Sequence, residues 1–230
     1  MALAGEGAIC IWNDVLPEHR ADFYAWHNEE HMPERVGIPG FKRGWRYLAI
    51  DGATRPEFFT LYETESYEVL VGQDYANRLN APTPRTKATT ASYRNTTRAL
   101  TRVHASQRYG SGGIMATTSF RCASGSGSVF AAAVVAGAIL ELVTQPQITG
   151  VHLCMTDTAV SSVRTAESRD RSDIQGPPDG VLLIEGCSPD LVKTASDIAH
   201  RHIVTCGALT PVAGLYRLAY ARLKNAHGCG

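Results

Sequence analysis

The chain lacks an excess of charge of either sign, because 22 basic and 22 acidic side chains give its 230 residues a formal net charge of zero. It also lacks a basic run, which argues against nucleic acid as a main partner. No apolar run reaches membrane-spanning length, and the longest, at residues 129–143, contains Glu141. The amino terminus shows no basic segment followed by a long apolar stretch, so no signal peptide is predicted. We therefore expect a cytoplasmic protein that does not span a membrane.

Several motifs of well-known chemistry are missing as well. The six cysteines are scattered without C-x-x-C spacing, so neither a zinc ribbon nor a thioredoxin-like pair is indicated. The sequence contains no dinucleotide-binding fingerprint, no P-loop and no G-x-S-x-G elbow. These absences remove the common nucleotide-binding and cysteine-based motifs, and no cofactor is predicted.

The chain does contain one segment dense in polar and aromatic side chains, WHNEEHMPERVGIPGFKRGWRY at residues 26–47. Its first half continues a helix predicted from Pro17 to about Val36, since proline suits a first helical turn. Pro33 removes one backbone donor and is expected to kink or end that helix. His31 is therefore predicted to lie at a helix end.

The spacing in this helix favours acid–base chemistry. His27 and His31 are four residues apart and share one helix face, with Glu30 and Glu34 beside them. A neutral histidine can move a proton at neutral pH, and a carboxylate nearby can orient it and stabilise its charged form. We predict these four residues to be catalytic. Histidines hydrogen-bonded to glutamates on a helix surface would give the same spacing.

The following segment, from Phe41 to Ile50, alternates like a strand. Its two predicted faces carry Phe41, Arg43, Trp45 and Tyr47 on one side and Lys42, Gly44, Arg46 and Leu48 on the other. An arginine among aromatic rings can bind a carboxylate or enolate while the rings cover the apolar part of a ligand. The predicted substrate-binding residues are Arg43, Arg46, Tyr47, Trp12, Trp26 and Trp45. Solvent-exposed arginines beside core aromatics remain the alternative.

The order of predicted elements occurs twice. The first half reads β-α-β-β-α-β, with strands at 8–15, 41–50, 57–63 and 96–104 and helices at 17–36 and 67–79. A linker rich in glycine and serine follows at residues 106–113. The second half has the same order, with strands at 114–122, 150–156, 181–186 and 215–222 and helices at 129–143 and 189–202.

This order predicts two ferredoxin-like modules, at residues 1–107 and 112–225. Each module gives a four-stranded antiparallel sheet with helices on one face, so its other face must be covered. Packing the two bare faces together gives an α+β protein that is an intramolecular α/β barrel with a cavity. The apolar helix at 129–143 needs cover on more than one side, which favours a homodimer.

Three features resemble the dimeric α/β-barrel superfamily: the helix-borne motif His27 to Pro33, the Pro39-Gly40-Phe41 turn, and the strand from Phe58 to Glu63. The chain is most similar to a tandem, fused form, like EthD-like and muconolactone-isomerase-like proteins of bacterial aromatic and xenobiotic catabolism. The resemblance implies a ligand cavity between sheet and helices and mostly cofactor-independent chemistry. It leaves the reaction open, because the superfamily hosts isomerases, oxygenases, cyclases and haem enzymes.

The main functional hypothesis is a cofactor-independent lyase or isomerase that transfers a proton on an anionic, partly apolar small molecule. A cofactor-free oxygenase needs the same base and a drier, aromatic pocket. A metal-assisted hydrolase is the third possibility, because residues 27–31 satisfy the inverted zinc-protease signature H-x-x-E-H with His27 and His31 as ligands. A ligand-binding module without catalysis would need the cavity but no base.

Weaker candidates lie in the second half. His152 alternates with its apolar neighbours and could point into the cavity. Glu185 lies in an apolar run, where a buried carboxylate needs a partner. The charged run from Arg164 to Asp173 is expected to be a solvated loop or a lid over the barrel mouth.

Overall fold

The structure, a computed structural model, describes residues 3–224 except the side chain of Arg108. Its strands are β1 Gly7–Val15, β2 Phe41–Ala49, β3 Phe58–Thr64, β4 Tyr93–Arg108, β5 Ile114–Arg121, β6 Ile148–Thr156, β7 Gly180–Gly186 and β8 Leu209–Leu223. Its helices are α1 Arg20–Trp26, α2 Met32–Gly37, α3 Glu68–Val71, α4 Gln73–Asn80, α5 Pro84–Thr90, α6 Gly127–Val134, α7 Leu140–Leu142, α8 Thr158–Ser161 and α9 Pro189–Thr205. No helix in this described range is long and apolar enough to cross a membrane.

The strands form a closed antiparallel barrel in the order β1-β3-β2-β8-β5-β7-β6-β4. Each half contributes four neighbouring strands in the ferredoxin-like order, β4-β1-β3-β2 and β8-β5-β7-β6. The halves join where β2 pairs with β8 and where β4 pairs with β6. This arrangement confirms the predicted α+β fold, two tandem ferredoxin-like modules packed as one barrel. The module limits at residues 107 and 112 stay a prediction.

The interior of the barrel is filled by side chains from both modules. Alternate residues of each strand point inward. The inward cluster includes Cys10, Trp12, Tyr47, Phe59, Leu61, Cys154, Leu183 and Tyr216. Every residue of β3 and of β7 is buried, because helices cover the outer side of these strands and the barrel core covers the inner side.

The strand β4 is longer than predicted and runs through residues 106–108 of the expected linker. It extends because its second half pairs with β6, from Thr101 opposite Thr156 to Arg108 opposite Gly150. Pairing between modules therefore gives regular structure to residues whose composition indicates a flexible connection.

The helix after β1 does not end at Pro33. One wide turn of π-helix, His27–His31, separates α1 from α2, and the Met32 N–H donates to the carbonyl of His27. Pro33 then occupies the first turn of α2, where its missing N–H leaves no hydrogen bond unmade. The prediction of a helix end at His31 is wrong, because the wide turn accommodates the proline.

The predicted faces of β2 are correct beyond its first residue. Arg43 and Trp45 face the barrel interior, whereas Arg46 faces the helices. Phe41 packs on the helix side with Met32 and Tyr62, because the pairing with β3 shifts register between Phe41 and Arg43. The bulge puts Phe41 on the opposite face from the one predicted.

Two buried glutamates close the same end of the barrel. Glu63 accepts two hydrogen bonds of 2.8 Å from Arg43 and one of 2.7 Å from the indole of Trp45. At the equivalent place in the second module, Glu185 accepts a bond from the backbone N–H of Gly112 and lies 3.9 Å from His152. Both carboxylates therefore have partners inside the barrel, and the substrate-binding role of Glu185 stays a prediction.

The segment from α6 to α7 exposes an apolar outer face. Val129 is 73% exposed and Leu140 is 59% exposed, with small residues between them. The homodimer stays a prediction that this face supports.

Light scattering should give the mass of two 24.8 kDa chains, and Leu140→Glu should shift the mass to that of one chain. A wild-type mass of one chain at micromolar concentration would contradict it.

We expect Glu63→Leu to lower the free energy of unfolding by about 2–3 kcal/mol, because Arg43 loses both of its bonds inside the barrel. The double variant Arg43→Leu, Glu63→Leu should recover part of that loss, since neither charge is then left without its partner. Urea unfolding measures both changes. A double variant less stable than Glu63→Leu would contradict the proposed cost of the unpaired arginine.

Candidate functional site

A cavity of about 210 Å³ lies in the first module, between the outer face of its sheet and the helical segment after β1. The sheet contributes Ile11, Asn13, Thr60, Tyr62, Thr96 and Arg98, and the helical segments contribute Trp26, His27, His31, Leu79 and Thr90. The remaining wall is made by Tyr93 at the start of β4 and by side chains between residues 161 and 177 of the second module. The site is therefore built by both halves of the chain.

The long connection between β6 and β7 covers this cavity. Thr96 of β4 receives a backbone bond on its carbonyl from Gln175 and donates its own N–H to Asp173. Glu167 donates its N–H to the carbonyl of Leu79 at the end of α4. The predicted lid, Arg164 to Asp173, is thus packed over the first module, which agrees with a lid rather than a free solvated loop.

His27 is buried and held by an arginine. Its Nδ1 lies 3.2 Å from Nη1 of Arg46, which also donates to Asn28 at 2.8 Å. Because a guanidinium only donates, Nδ1 of His27 accepts and the ring proton of the neutral form is on Nε2. Burial, Arg46 and then Arg35 lower the pKa of His27 well below its usual value. The histidine is therefore neutral at neutral pH, with Nε2–H as a donor.

His31 is also buried and also neutral. Burial, followed by Arg35 and His27, lowers the pKa of His31 well below the usual value. Its ring stacks on Trp26, with centroids 4.3 Å apart. Its Nδ1 is buried and has no hydrogen-bond partner in the described part of the chain.

Tyr62 on β3 adds a second unpartnered group to the cavity wall. Its hydroxyl is buried without a hydrogen bond to any described residue, and burial raises the pKa of this phenol well above its usual value. A buried polar atom without a partner costs free energy, so a ligand that pairs with it gains affinity. The cavity therefore has a neutral imidazole and a phenol available for a ligand.

The predicted carboxylates are not part of this site. Glu30 accepts a hydrogen bond from Thr83, the residue that caps α5, and Glu34 lies 3.4 Å from Arg78. Neither of them forms a hydrogen bond or ion pair with a histidine within residues 3–224. Both carboxylates are instead held by partners outside this helical segment, Thr83 of the α5 cap and Arg78 of α4.

The other predicted binding residues are divided among four places. Trp26 lines the cavity, whereas Arg46 supports His27 from behind, with its guanidinium 4.9 Å from the ring centre of Tyr24. Trp12 lines a second cavity of about 230 Å³ at the opposite end of the barrel from Glu63. The remaining predicted residues face the barrel interior, where Tyr47, His152 and Glu185 are buried and Arg43 and Trp45 are partly buried.

Sequence reasoning missed the contributions of the strands and the lid. Tyr62, Arg98 and Glu167 line the cavity, and Glu167 accepts a short hydrogen bond from Arg35 of α2. Period-two alternation could have placed Tyr62 and Arg98 on the face opposite the barrel-facing residues. Nothing in the sequence indicates that Glu167 meets Arg35, because these residues belong to different modules.

The second module has the same wide helical turn without the same chemistry. Val135–Ile139 forms a π-helical turn after β5, as His27–His31 does after β1. Its helix packs on the sheet through apolar side chains, among them Val134, Ile139 and Leu142. Among the described residues this module therefore shows a filled core where the first module has a histidine-lined cavity.

The geometry does not fit the hydrolase alternative. Within residues 3–224 no group of three or more His, Cys, Asp or Glu side chains is placed to hold a metal ion. The glutamate of the H-x-x-E-H motif, Glu30, bonds to Thr83 instead. The cationic Arg46 also occupies Nδ1 of His27, which opposes a second cation there.

Solved structures share this fold over nearly the whole chain. An anthrone oxidase-like protein has a TM-score of 0.63 at 10% identity and covers 97% of this chain and 95% of its own. A protein from Fusobacterium nucleatum described as a monooxygenase has a TM-score of 0.58 at 10% identity, with 96% of each chain covered. A protein described as a chlorite dismutase has a TM-score of 0.55 at 8% identity, with 94% and 96% covered.

At such identities the similarity shows the fold alone, a barrel made of two tandem ferredoxin-like modules within one chain. No family model and no curated protein matches the sequence. The finer resemblance to EthD-like proteins and muconolactone isomerases is not confirmed.

The comparisons contradict the predicted lyase or isomerase. The structural neighbours are described as monooxygenases, an anthrone oxidase-like protein and a chlorite dismutase, which favours the oxygenase alternative. They give no support to a role in aromatic catabolism. The hypothesis relied on histidines paired with Glu30 or Glu34, and those pairs do not form.

The residues present do not fit a haem. The cavity of about 210 Å³ is smaller than the roughly 300–1,000 Å³ of sites for drug-sized ligands, and a haem is larger than most such ligands.

Two buried neutral histidines make stability depend on pH. The unfolded chain takes up protons on both rings near pH 6.5, the usual histidine value, whereas the folded protein does so only at lower pH. The free energy of unfolding should therefore be constant above about pH 7 and fall as the pH drops below 6.5. Urea unfolding between pH 5 and 8 should show a shallower fall for His31→Gln than for wild type. His104 is exposed, so His104→Gln is the control and should fall as steeply as wild type. If the free energy of unfolding fell equally steeply with pH in His31→Gln and in wild type, His31 would not be neutral in the folded protein.

Proposed function

We propose that the protein is an oxygenase without a prosthetic group that acts on a planar, ionisable aromatic molecule in the first-module cavity. The observation that carries the proposal is the pair of buried, neutral histidines, His27 and His31, on the wall of a covered cavity. The oxygenase names of the structural neighbours support the reaction class.

The cavity lining favours a flat aromatic substrate. Trp26 and Tyr93 offer ring surfaces, and Ile11, Leu79 and Val163 offer aliphatic ones. A volume of about 210 Å³ suits a ligand of two or three fused rings better than a larger one. The anthrone oxidase-like neighbour supports an anthrone as the first substrate to test.

In the proposed reaction His31 acts as the general base. Its Nδ1 has no hydrogen-bond partner among the described residues, and the ring is kept neutral by burial and by Arg35. A neutral imidazole in a dry site can take a proton from a carbon activated by a ketone and two rings. Stacking on Trp26 holds its ring in place.

His27 and Tyr62 are proposed to stabilise the negative charge that forms on the substrate oxygen. Arg46 fixes His27 in the tautomer that donates from Nε2. The Tyr62 hydroxyl has no partner within residues 3–224 and can donate without first breaking another bond. Both donors are therefore oriented before the reaction starts.

The electron balance needs only dioxygen as a co-reactant. The substrate CH₂ loses one proton to His31, and the carbanion transfers electrons to O₂ as a C–O bond forms. The resulting peroxide takes back the proton, and the second C–H proton then leaves as the O–O bond breaks. One CH₂ and one O₂ thus give one ketone and one water.

The test is oxygen uptake with anthrone, measured with an oxygen electrode and checked by the absorbance of anthraquinone. We expect one O₂ consumed per quinone formed, and His31→Gln should lower the rate at least about 100-fold because general-base catalysis contributes 10²–10⁴-fold. His27→Gln should lower it by a smaller factor, since one oxyanion donor is lost.

His104→Gln serves as the matched control, because His104 is an exposed histidine of β4 that does not line the cavity. It should keep the wild-type rate. If His31→Gln also stayed within about twofold of wild type, the proposed base would be wrong. A wild-type protein without oxygen uptake on anthrone and on related ionisable tricyclic ketones would overturn the oxygenase proposal.

A further inference from the structure

The charged groups around the cavity are paired with one exception. Glu167 is bonded to Arg35, and Arg171 lies 2.7 Å from Asp173. Arg164 donates to two backbone carbonyls of the lid. Among the charged lining residues other than the histidines, only Arg98 has a side chain without an ion pair, hydrogen bond or ring contact within the described part of the chain.

Arg98 is only half-buried, yet its position is well defined by the sheet. Across the strands it pairs with Ile11 of β1, and Ile11 pairs with Thr60 of β3. Thr60 in turn pairs with Arg46 of β2, which contacts His27. These residues form one row across the helix-facing side of the sheet.

This row runs from one end of the cavity, at Arg98, to the other, at Arg46. Neighbouring strands are about 4.8 Å apart, so Arg98 and Arg46 are roughly 14 Å apart at the backbone. The histidines lie toward the Arg46 end, and the side chains of Ile11 and Thr60 form the floor between. A tricyclic molecule on this floor would have its central ring, which carries the reacting carbon, toward the histidines and one outer ring beside Arg98.

We infer that Arg98 binds a carboxylate on the far ring of the substrate, so that the substrate is a planar aromatic acid. A guanidinium matches a carboxylate with two parallel hydrogen bonds, and a partly buried site strengthens them. The inference rests on the proposed function, because it places the substrate in the same cavity. It adds the chemical group that the substrate must carry.

Binding of stable product analogues tests this inference without turnover. Isothermal titration calorimetry would compare anthraquinone-2-carboxylate with the uncharged anthraquinone-2-carboxamide. Wild type should bind the acid about 10- to 100-fold more tightly than the amide, the range expected for a charge-assisted pair. Arg98→Gln should lose that preference while its affinity for the amide stays within about twofold of wild type.

Arg102→Gln is the matched control. Arg102 lies on the same strand four residues further on, is exposed, and pairs with Glu68 outside the cavity. It should keep the wild-type preference for the acid. Arg98→Lys should recover only part of the preference lost in Arg98→Gln, because an ammonium cannot form the paired bonds of a guanidinium.

Equal affinity of wild type for the acid and the amide, including no detectable binding of either, would overturn the inference. So would an acid preference that survives in Arg98→Gln. Failure of the two proposals is distinguishable. Oxygen uptake with neutral anthrone but no acid preference would overturn the role of Arg98 alone, and an Arg98-dependent preference without oxygen uptake would overturn the oxygenase alone.

Discussion

The pairing of β4 with β6 is the constraint on which the rest of the structure depends. Together with the pairing of β2 with β8, it closes the barrel and leaves no strand edge open. It also places the connection after β6 next to the outer face of the first module. The lid, the enclosure of the histidines and the meeting of Arg35 with Glu167 all follow from that position.

The two modules share a backbone plan but divide the tasks. Both carry a wide helical turn after their first strand, at His27–His31 and at Val135–Ile139. In one module the turn presents imidazoles to a cavity, and in the other it presents aliphatic groups to a core. The connection between the second and third strands also differs between the modules. It is short in the first, at residues 50–57 between β2 and β3, and long in the second, at residues 157–179 between β6 and β7. The second module supplies the cover of the cavity, and the first supplies the histidines that line it.

The fold could be predicted because strand and helix periods, turn residues and the repeated element order all agree. The histidines could be found because four-residue spacing keeps them neighbours, with ring centres 5.5 Å apart, even in a wide turn. The position of the carboxylates could not be predicted from spacing. Glu30 accepts a hydrogen bond from Thr83 instead of meeting a histidine, and that contact depends on where α5 packs. Arg98 and Arg43 look alike in sequence. Only the strand register shows which face of the sheet each side chain lies on. Arg43 faces the barrel interior and pairs with Glu63, whereas Arg98 faces the cavity.

The origin of the lid has a consequence for how such a site can exist. The cavity wall comes from the first module and its cover from residues 161–177 of the second, so neither half encodes an enclosed pocket by itself. A symmetric assembly of two first modules would have only the short turn at residues 50–57 in the place of the cover. The fusion of two unlike halves in one polypeptide therefore encloses the pocket. A circularly permuted or split form would keep the pocket enclosed only while both halves stay associated.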